Sequence, residues 1–223
     1  MKNIIQVAGI RNQQEAKMLV ECGVDYLGFP FRLDYHREDI SETETARIIS
    51  RLPESVKTVV ITYLDRAEEI IDLLKILGAS AVQLHGDISS EEIKKLKSEL
   101  PDLRIIKSLI IGRDPFSILL DRVGEFALVI DAFITDSYDP LTGASGATGR
   151  THDREISRKI VRISPKPVIL AGGLTPENVK EAILKVKPAG VDVHTGVENR
   201  EGYKDKDRVV QFVSEAREAF DQI

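Results

Sequence analysis

Short runs of apolar, often β-branched residues alternate along the chain with longer stretches in which apolar residues recur every three or four positions. Most of the short runs are apolar without interruption, which is typical of strands that are covered on both faces. They predict eight strands, at Ile4–Val7, Asp25–Phe29, Lys57–Ile61, Ser80–Leu84, Arg104–Ser108, Ala127–Asp131, Pro167–Ala171 and Gly190–Val193.

The longer stretches predict amphipathic helices between these strands. Asn12, Ser41 and Ser89 stand where helices would begin, and each serine has an acid three residues later, the pattern of a capping box. Thr175 is predicted to cap a helix whose first residue is Pro176, a position that proline favours. Further helices are predicted over 66–77, 115–123 and 205–220.

The repetition of one strand and one helix decides the fold class. Eight such units in 223 residues give about 28 residues each, close to the ~30 of one βαβ step. We therefore predict an α/β fold, a (β/α)8 TIM barrel that forms a single domain over residues 1–223. The alternative is an open doubly wound sheet, which usually has a GxGxxG turn after its first strand; this chain has AGIRNQ there.

Composition excludes several classes of protein. Hydrophobic residues make up 42% of the chain and charged residues 30%, with no apolar run near 18 residues, so we expect a soluble globular protein without a membrane span. The net charge of −5 gives no general attraction to nucleic acid or to an anionic membrane. Cys22 is the only cysteine, so no disulfide can form within the chain and a cytoplasmic location is expected.

Two glycine-bearing turns follow the seventh and eighth predicted strands. Gly172 and Gly173 follow the seventh strand, and Thr195 and Gly196 follow the eighth. Loops seven and eight commonly bind phosphate in this fold, because glycine lets backbone N–H groups approach an anion closely. The four residues are predicted to bind phosphate; the alternative is that they only form tight turns.

A carboxylate and a long loop are the other candidates for chemistry. Asp131 closes the sixth predicted strand, where a partly desolvated carboxyl at the barrel mouth could be a general acid, or could only cap a turn. The glycine-rich loop 136–152 could act as a lid in which Arg150 pairs with an anion, or could be an inert loop of the kind that this fold also contains. The four histidines are scattered without HxH or HExxH spacing, so no metal site is predicted.

The chain resembles the phosphoribosylanthranilate isomerases, (β/α)8-barrel enzymes of tryptophan biosynthesis, over almost its whole length. AVQLHG and GGLTPENV are the most specific of the matching segments. The matching residues are 23–29, 81–86, 129–131, 148–151, 172–179, 191–193 and 196–198.

The resemblance implies an aldose-to-ketose (Amadori) isomerisation of an N-linked phosphoribosyl group, without a cofactor. A general acid opens the ribose ring to a Schiff base, and a general base then removes the proton from the adjacent carbon. Asp131 matches the general acid, and the two glycine turns match the phosphate site. Arg37 matches the arginine that faces the anthranilate, and His85 and Arg150 are expected to contact the substrate. A monomer or a homodimer is expected.

One departure from the family stands on the first strand. The family has Lys-x-Cys-Gly there, and its cysteine is the general base, whereas this chain has Gln6, Val7, Ala8 and Gly9. Alanine cannot accept a proton. Three interpretations follow: an isomerase with a substitute base, a paralogue that acts on a different phosphorylated sugar, or a non-catalytic barrel that binds a phosphorylated ligand.

His194 is the predicted substitute base. Strand eight neighbours strand one in a closed barrel, so His194 would end beside Ala8. The family has a small, serine-like residue at this position, so an imidazole could fill the space that the cysteine leaves. An unperturbed histidine pKa near 6.5 suits a base at neutral pH. The alternatives are that His194 points outward or only binds the phosphate.

Overall fold

A computed structural model describes residues 2–33, 38–138, 140–141 and 151–223. In these ranges eight parallel strands pair in sequence order and form a closed barrel, which confirms the predicted (β/α)8 fold and excludes the open sheet. The strands are β1 (Ile4–Ala8), β2 (Tyr26–Phe31), β3 (Lys57–Thr62), β4 (Ala81–Leu84), β5 (Arg104–Ile111), β6 (Ala132–Ser137), β7 (Val168–Leu170) and β8 (Gly190–Val193).

A helix follows each strand and covers the outside of the barrel. The helices are α1 (Gln13–Glu21), α2 (Glu42–Ile49), α3 (Ala67–Leu77), α4 (Ser90–Glu99), α5 (Phe116–Phe126), α6 (Arg154–Ile163), α7 (Val179–Val186) and α8 (Lys206–Phe220), and a 3-10 turn, η1 (Thr195–Val197), follows β8. None of the helices in the described ranges is long and apolar enough to cross a membrane.

Side-chain alternation along the strands divides the apolar residues into two layers. On β1, Ile5 and Val7 face the helices and belong to the large cluster between barrel and helices. Ile4 and Ala8 belong to a smaller cluster that fills the barrel interior. Because successive side chains of a strand point to opposite faces, Gln6 lies in the interior with them.

The predicted helix starts are confirmed at three of four positions. Asn12, Ser41 and Ser89 each accept the N–H of the residue three positions later. The prediction for Thr175 is wrong, because α7 begins only at Val179. The Asn178 side chain accepts the Thr175 N–H and holds residues 175–178 in a turn before the helix.

The predicted sixth strand, Ala127–Asp131, is also wrong. Helix α5 continues to Phe126, a turn follows, and β6 is built from the next apolar run, Ala132–Ser137. Phe126 and Ile130 are buried in the outer layer, whereas Leu128 is 92% exposed, which no central strand of a covered sheet would allow. The strand lies five residues later than expected, which moves Asp131 to its other end.

Candidate active site

Asp131 lies immediately before β6, at the end of the barrel opposite the mouth. Its Oδ2 accepts the Ile105 N–H at 2.8 Å, and its own N–H donates to the Ile105 carbonyl at 2.9 Å. Lys97 Nζ lies 3.0 Å from the same carboxylate. The prediction that Asp131 stands at the barrel mouth is therefore wrong, because these contacts tie it to the starts of β5 and β6.

An equivalent aspartate stands before β2, half a barrel away. Asp25 Oδ2 accepts the Ile5 N–H at 2.8 Å, its N–H donates to the Ile5 carbonyl at 3.0 Å, and Arg217 supplies a cation at 2.8 Å. The same reciprocal contacts at two places in the barrel mark both aspartates as structural. Asp25 precedes its strand in the sequence as Asp131 does, and this parallel could have revealed the role of Asp131.

Asp136 is the carboxyl group that β6 carries to the mouth. It is the last inward-facing residue of β6, near the C-terminal end of the strand, and is 6% exposed. Burial raises its pKa to about 7, although the Ser137 N–H, 2.7 Å from Oδ1, and the Ser137 hydroxyl oppose the rise. Asp136 can therefore hold a proton near neutral pH, as a general acid must.

Asp192 is a second buried carboxyl inside the barrel. Burial and the negative charge of Asp136 raise its pKa to about 7, and the Gln6 amide and the more distant Lys204 oppose the rise. Gln6 lies beside Asp192 in the register of β1 and β8, and its Nε2 donates across the barrel to Gln83 Oε1 at 3.0 Å. The interior below the mouth is therefore polar, with Gln6, Gln83 and Asp192 buried in it.

The two glycine turns meet at the mouth, beside α7 and α8. Gly172 and Gly173 both have positive φ, +87° and +61°, which favours glycine. A Cβ on Gly196 would overlap the Leu174 carbonyl, so the loops after β7 and β8 are in direct contact. In the described part of the chain, the N–H groups of Gly172, Gly173 and Leu174 make no hydrogen bond to protein.

Side chains behind these turns hold them in place. Asn178 Nδ2 donates to the Gly173 carbonyl at 2.9 Å. Arg208 donates to the Gly196 carbonyl at 2.9 and 3.2 Å and also contacts the Glu177 carboxylate, so it joins the two loops. The carbonyls of Gly173 and Gly196 are thus hydrogen-bonded, whereas the Gly172, Gly173 and Leu174 N–H groups have no protein partner in the described ranges.

His152 is a neighbour of these turns that sequence analysis passed over as a scattered histidine. Its Nδ1 lies 2.7 Å from the position that a Cβ on Gly172 would take, and its Nε2 lies 2.6 Å from Ser157 Oγ. Burial lowers the His152 pKa to about 4, so the imidazole is neutral at physiological pH.

His85 stands at the end of β4, where sequence analysis predicted a substrate contact. Its Nδ1 is 3.0 Å from Ser108 Oγ, and its ring centroid is 4.9 Å from that of Tyr63. The imidazole is 4% exposed, so these neighbours fix its orientation. The other two predicted substrate contacts, Arg37 and Arg150, lie outside the described residues.

His194 lies at the rim of the mouth, above the end of β1. A Cβ on Gly9 would overlap its imidazole, which confirms that the ends of strands one and eight are adjacent. Its Nε2 is 3.5 Å from Glu198 Oε1 and 4.0 Å from Asp39 Oδ2. The ring therefore faces two carboxylates at the rim, and its role as a base stays a prediction.

Ala8 faces the interior between these groups and contributes only a methyl group. It is 2% exposed, and Gly28 on β2 lies against it so closely that a Cβ there would be 2.9 Å from the Ala8 Cβ. Among the described residues, no group of three or more histidine, cysteine, aspartate or glutamate side chains could hold a metal ion.

Comparisons with known proteins point to one family. The family model for N-(5'-phosphoribosyl)anthranilate isomerase matches residues 5–215. N-(5'-phosphoribosyl)anthranilate isomerase 2 of Methanosarcina mazei is 39% identical over 218 residues, which are 97% of this chain and 95% of that protein. The isomerase of Methanothrix thermoacetophila is 33% identical, over 96% of this chain and 97% of the relative.

Solved structures give the same relationship. The phosphoribosylanthranilate isomerase of Thermotoga maritima superposes with a TM-score of 0.81 at 31% identity, over 96% of this chain and 98% of the other. A phosphoribosylanthranilate isomerase in complex with reduced 1-(o-carboxyphenylamino)-1-deoxyribulose 5-phosphate gives a TM-score of 0.79 at 28% identity, with the same coverage.

The buried carboxyl of Asp192 makes stability depend on pH. Because its folded-state pKa is raised from 3.8 to about 7, its stabilising contribution is complete at acid pH and is lost as pH rises through 7. Asp192→Asn removes this loss. We expect the free energy of unfolding of Asp192→Asn, relative to wild type, to rise by about 2–3 kcal/mol between pH 5 and pH 8.

Urea unfolding at four pH values measures this difference. Asp72→Asn, on an exposed position of α3, controls for the loss of a surface charge. Parallel pH curves for wild type and Asp192→Asn would show that the Asp192 carboxyl titrates at its ordinary pH in the folded protein.

Proposed function

The chain belongs to the N-(5'-phosphoribosyl)anthranilate isomerase family, and on this premise we propose that it isomerises N-(5'-phosphoribosyl)anthranilate, an aldose derivative, to the corresponding ketose without a cofactor. The observation that carries the proposal is the presence, at one mouth, of a buried carboxyl, Asp136, that can hold a proton near neutral pH and of two glycine turns that could bind an anion. Relatives with this name match the chain over nearly its whole length, which favours this reaction over another sugar phosphate or a binding role.

Asp136 is the proposed general acid. It takes the place that sequence analysis gave to Asp131, because Asp136 and not Asp131 ends β6 at the mouth. A carboxyl with a pKa of about 7 can give a proton to the ribose ring oxygen as the ring opens to the Schiff base. A surface carboxylate would already be ionised at this pH.

The glycine turns form the proposed phosphate site. Backbone N–H groups of Gly172, Gly173, Thr195 and Gly196 can converge on the phosphate, and Arg208 behind Gly196 adds positive charge nearby. Phosphate binding here would place the ribose over the barrel interior, between Asp136 and β1. Arg37, His85 and Arg150 stay proposed contacts for the rest of the substrate.

The remaining proposals concern location and assembly. The single cysteine supports a cytoplasmic enzyme. A monomer or a homodimer is proposed, because one similar solved structure is of monomers generated from the dimeric Thermotoga maritima isomerase.

Turnover of the substrate by the purified protein tests the proposed reaction directly. The protein is incubated with N-(5'-phosphoribosyl)anthranilate, and formation of the ketose is followed by chromatography. Growth of a tryptophan auxotroph that lacks the isomerase is the cellular counterpart. A well-expressed, folded protein that does neither would contradict the proposal.

Two aspartates at opposite ends of β6 provide a matched pair of variants. Asp136→Asn is expected to lower kcat by about 10²-fold or more, because an amide cannot give up a proton to the ring oxygen. Asp131→Asn is expected to keep kcat within about threefold of wild type, since Asp131 only ties β5 to β6. Steady-state kinetics on both variants would refute the assignment if their effects were reversed.

The phosphate site is tested by a methyl group at Gly196. Gly196→Ala forces the loops after β7 and β8 apart, because its Cβ would overlap the Leu174 carbonyl. We expect KM to rise by about tenfold or more and inhibition by inorganic phosphate to weaken in proportion. Gly124→Ala in α5, where a Cβ would meet no atom within 4 Å, is the matched control. Equal KM values for both variants would contradict the site.

A further inference from the structure

The proposed reaction needs a group that takes a proton from C2 of the ring-opened substrate. Ala8 supplies a methyl group at the place on β1 where the resemblance expects a thiol. Given the proposed function, on which this assignment rests, another group on the described strands must take the proton.

Asp192 lies one inward position below Ala8 in the barrel wall. The register pairs Asp192 with Gln6, and Ala8 is the next inward side chain of β1 toward the mouth. On the other side, the pairing of Leu170 with Val191 places Ala171 beside Asp192. Besides Gln6, the neighbouring strands therefore place only the methyl groups of Ala8 and Ala171 next to Asp192.

The exposed fraction of Asp192 agrees with its small neighbours. Asp192 keeps 8% of its surface accessible, although Gln6 and Ala8 on the neighbouring strand keep 0% and 2%. A larger side chain at position 8 or 171 would separate the Asp192 carboxyl from a substrate at the mouth. Asp192 therefore keeps a small accessible area and has two small residues as its neighbours.

Two buried oxygens beside these alanines, Asp192 Oδ1 and Gln6 Oε1, lack a hydrogen-bond partner among the described residues. Unpaired buried polar atoms cost free energy and call for an explanation. A proton taken up by Asp192 would give this carboxyl an O–H donor in a region that contains two unpaired acceptors.

The charges that face Asp192 come from two elements. Asp136 on β6 is separated from it only by Ala171, since the register places Ala171 beside both. Lys204, in the segment after η1, has its Nζ bound to Glu198 at 2.6 Å and to the His194 carbonyl at 3.0 Å. The negative charge of Asp136 raises the pKa of Asp192, so the two carboxyls resist joint ionisation near neutral pH.

We infer that Asp192 is the general base of the reaction and works as a pair with Asp136. Asp136 gives its proton to the ring oxygen, and the C–O bond breaks to leave an iminium at C1. The Asp192 carboxylate then takes the C2 proton, the electron pair of the C2–H bond forms a C1=C2 double bond, and the C=N pair returns to nitrogen.

Tautomerisation completes the reaction without an oxidant or a reductant. The C2 hydroxyl loses a proton and C1 gains one, so the ketose contains the same atoms as the aldose. The protein ends with its proton on Asp192 instead of Asp136, and exchange with water restores the starting pair.

The geometry favours Asp192 over His194. His194 Nε2 lies at the rim, against Gly9 and 3.5 and 4.0 Å from the carboxylates of Glu198 and Asp39, whereas Asp192 lies in the interior with Asp136. An acid on β6 and a base on β8 then flank a sugar that the turns after β7 and β8 hold by its phosphate. His194 is the competing assignment that the experiment must exclude.

The test compares wild type, Asp192→Asn and Asp192→Glu on substrate with hydrogen or deuterium at C2. Asp192→Asn is expected to lower kcat by about 10²-fold or more and to keep affinity for the reduced product analogue within a few-fold. Its deuterium isotope effect should exceed that of wild type, because proton removal becomes rate-limiting. Asp192→Glu, which keeps a carboxyl, should retain more turnover than Asp192→Asn.

The pH profile and a rescue variant separate proton transfer from a structural role. Wild-type kcat should fall toward acid pH as Asp192 takes up a proton, and toward alkaline pH as Asp136 loses one. The acid limb should be absent from Asp192→Asn. Ala8→Cys in the Asp192→Asn background should raise kcat at least about tenfold above that of Asp192→Asn alone, because a thiol then faces the same carbon.

Several outcomes would overturn the assignment. The first is a kcat of Asp192→Asn within threefold of wild type, and the second is an acid limb of the pH profile that Asp192→Asn leaves unchanged. The third is a His194→Ala variant that alone shows the loss of kcat and the larger isotope effect. A wild-type protein that binds the analogue but never isomerises the substrate would instead refute the proposed function, and the base assignment with it.

Discussion

Pairing between β1 and β8 closes the barrel, and the candidate site takes its geometry from this pairing. The parallel register sets Gln6 beside Asp192, and alternation along each strand turns both side chains, with Ala8, into the interior. A shift of one residue would turn Val193 inward and carry Asp192 into the apolar helical layer. The closure therefore decides which polar groups can reach a substrate at the mouth.

Most of the barrel could be predicted from the sequence, because seven apolar runs stand alone between helical stretches. Between 127 and 137 two apolar runs, each with an aspartate, compete for one strand, and hydrophobic pattern alone does not distinguish them. Packing decides in favour of the second run, since Phe126 and Ile130 are needed to cover the outside of the barrel. This one shift moves Asp131 from the mouth to the other end of the barrel and places Asp136, instead of Asp131, at the C-terminal end of β6.

The parts of the site differ in how far sequence can reveal them. The glycine turns were predictable because the property that matters, a backbone without a Cβ, belongs to each residue itself. The proposed role of Asp192 was not predictable, because it depends on which side chains the folded barrel places around the carboxyl. Within GVDV it looks like any polar residue in a strand, and only the register shows a glutamine, two methyl groups and a second carboxyl as its neighbours.

The two departures of β1 from the family pattern have a common consequence at Asp192. A lysine at position 6 would pair with this carboxylate, stabilise its charged form and hold its pKa low. Glutamine is neutral, so burial and Asp136 keep the pKa of Asp192 near 7, at a cost in stability. Alanine at position 8 sets only a methyl group above the carboxyl on the neighbouring strand. With glutamine at position 6 but a larger residue at position 8, the Asp192 carboxyl would titrate near neutral pH beneath a bulkier side chain. With alanine at position 8 but lysine at position 6, the lysine would keep the Asp192 carboxyl ionised. Only together do they place a proton acceptor within reach of the substrate.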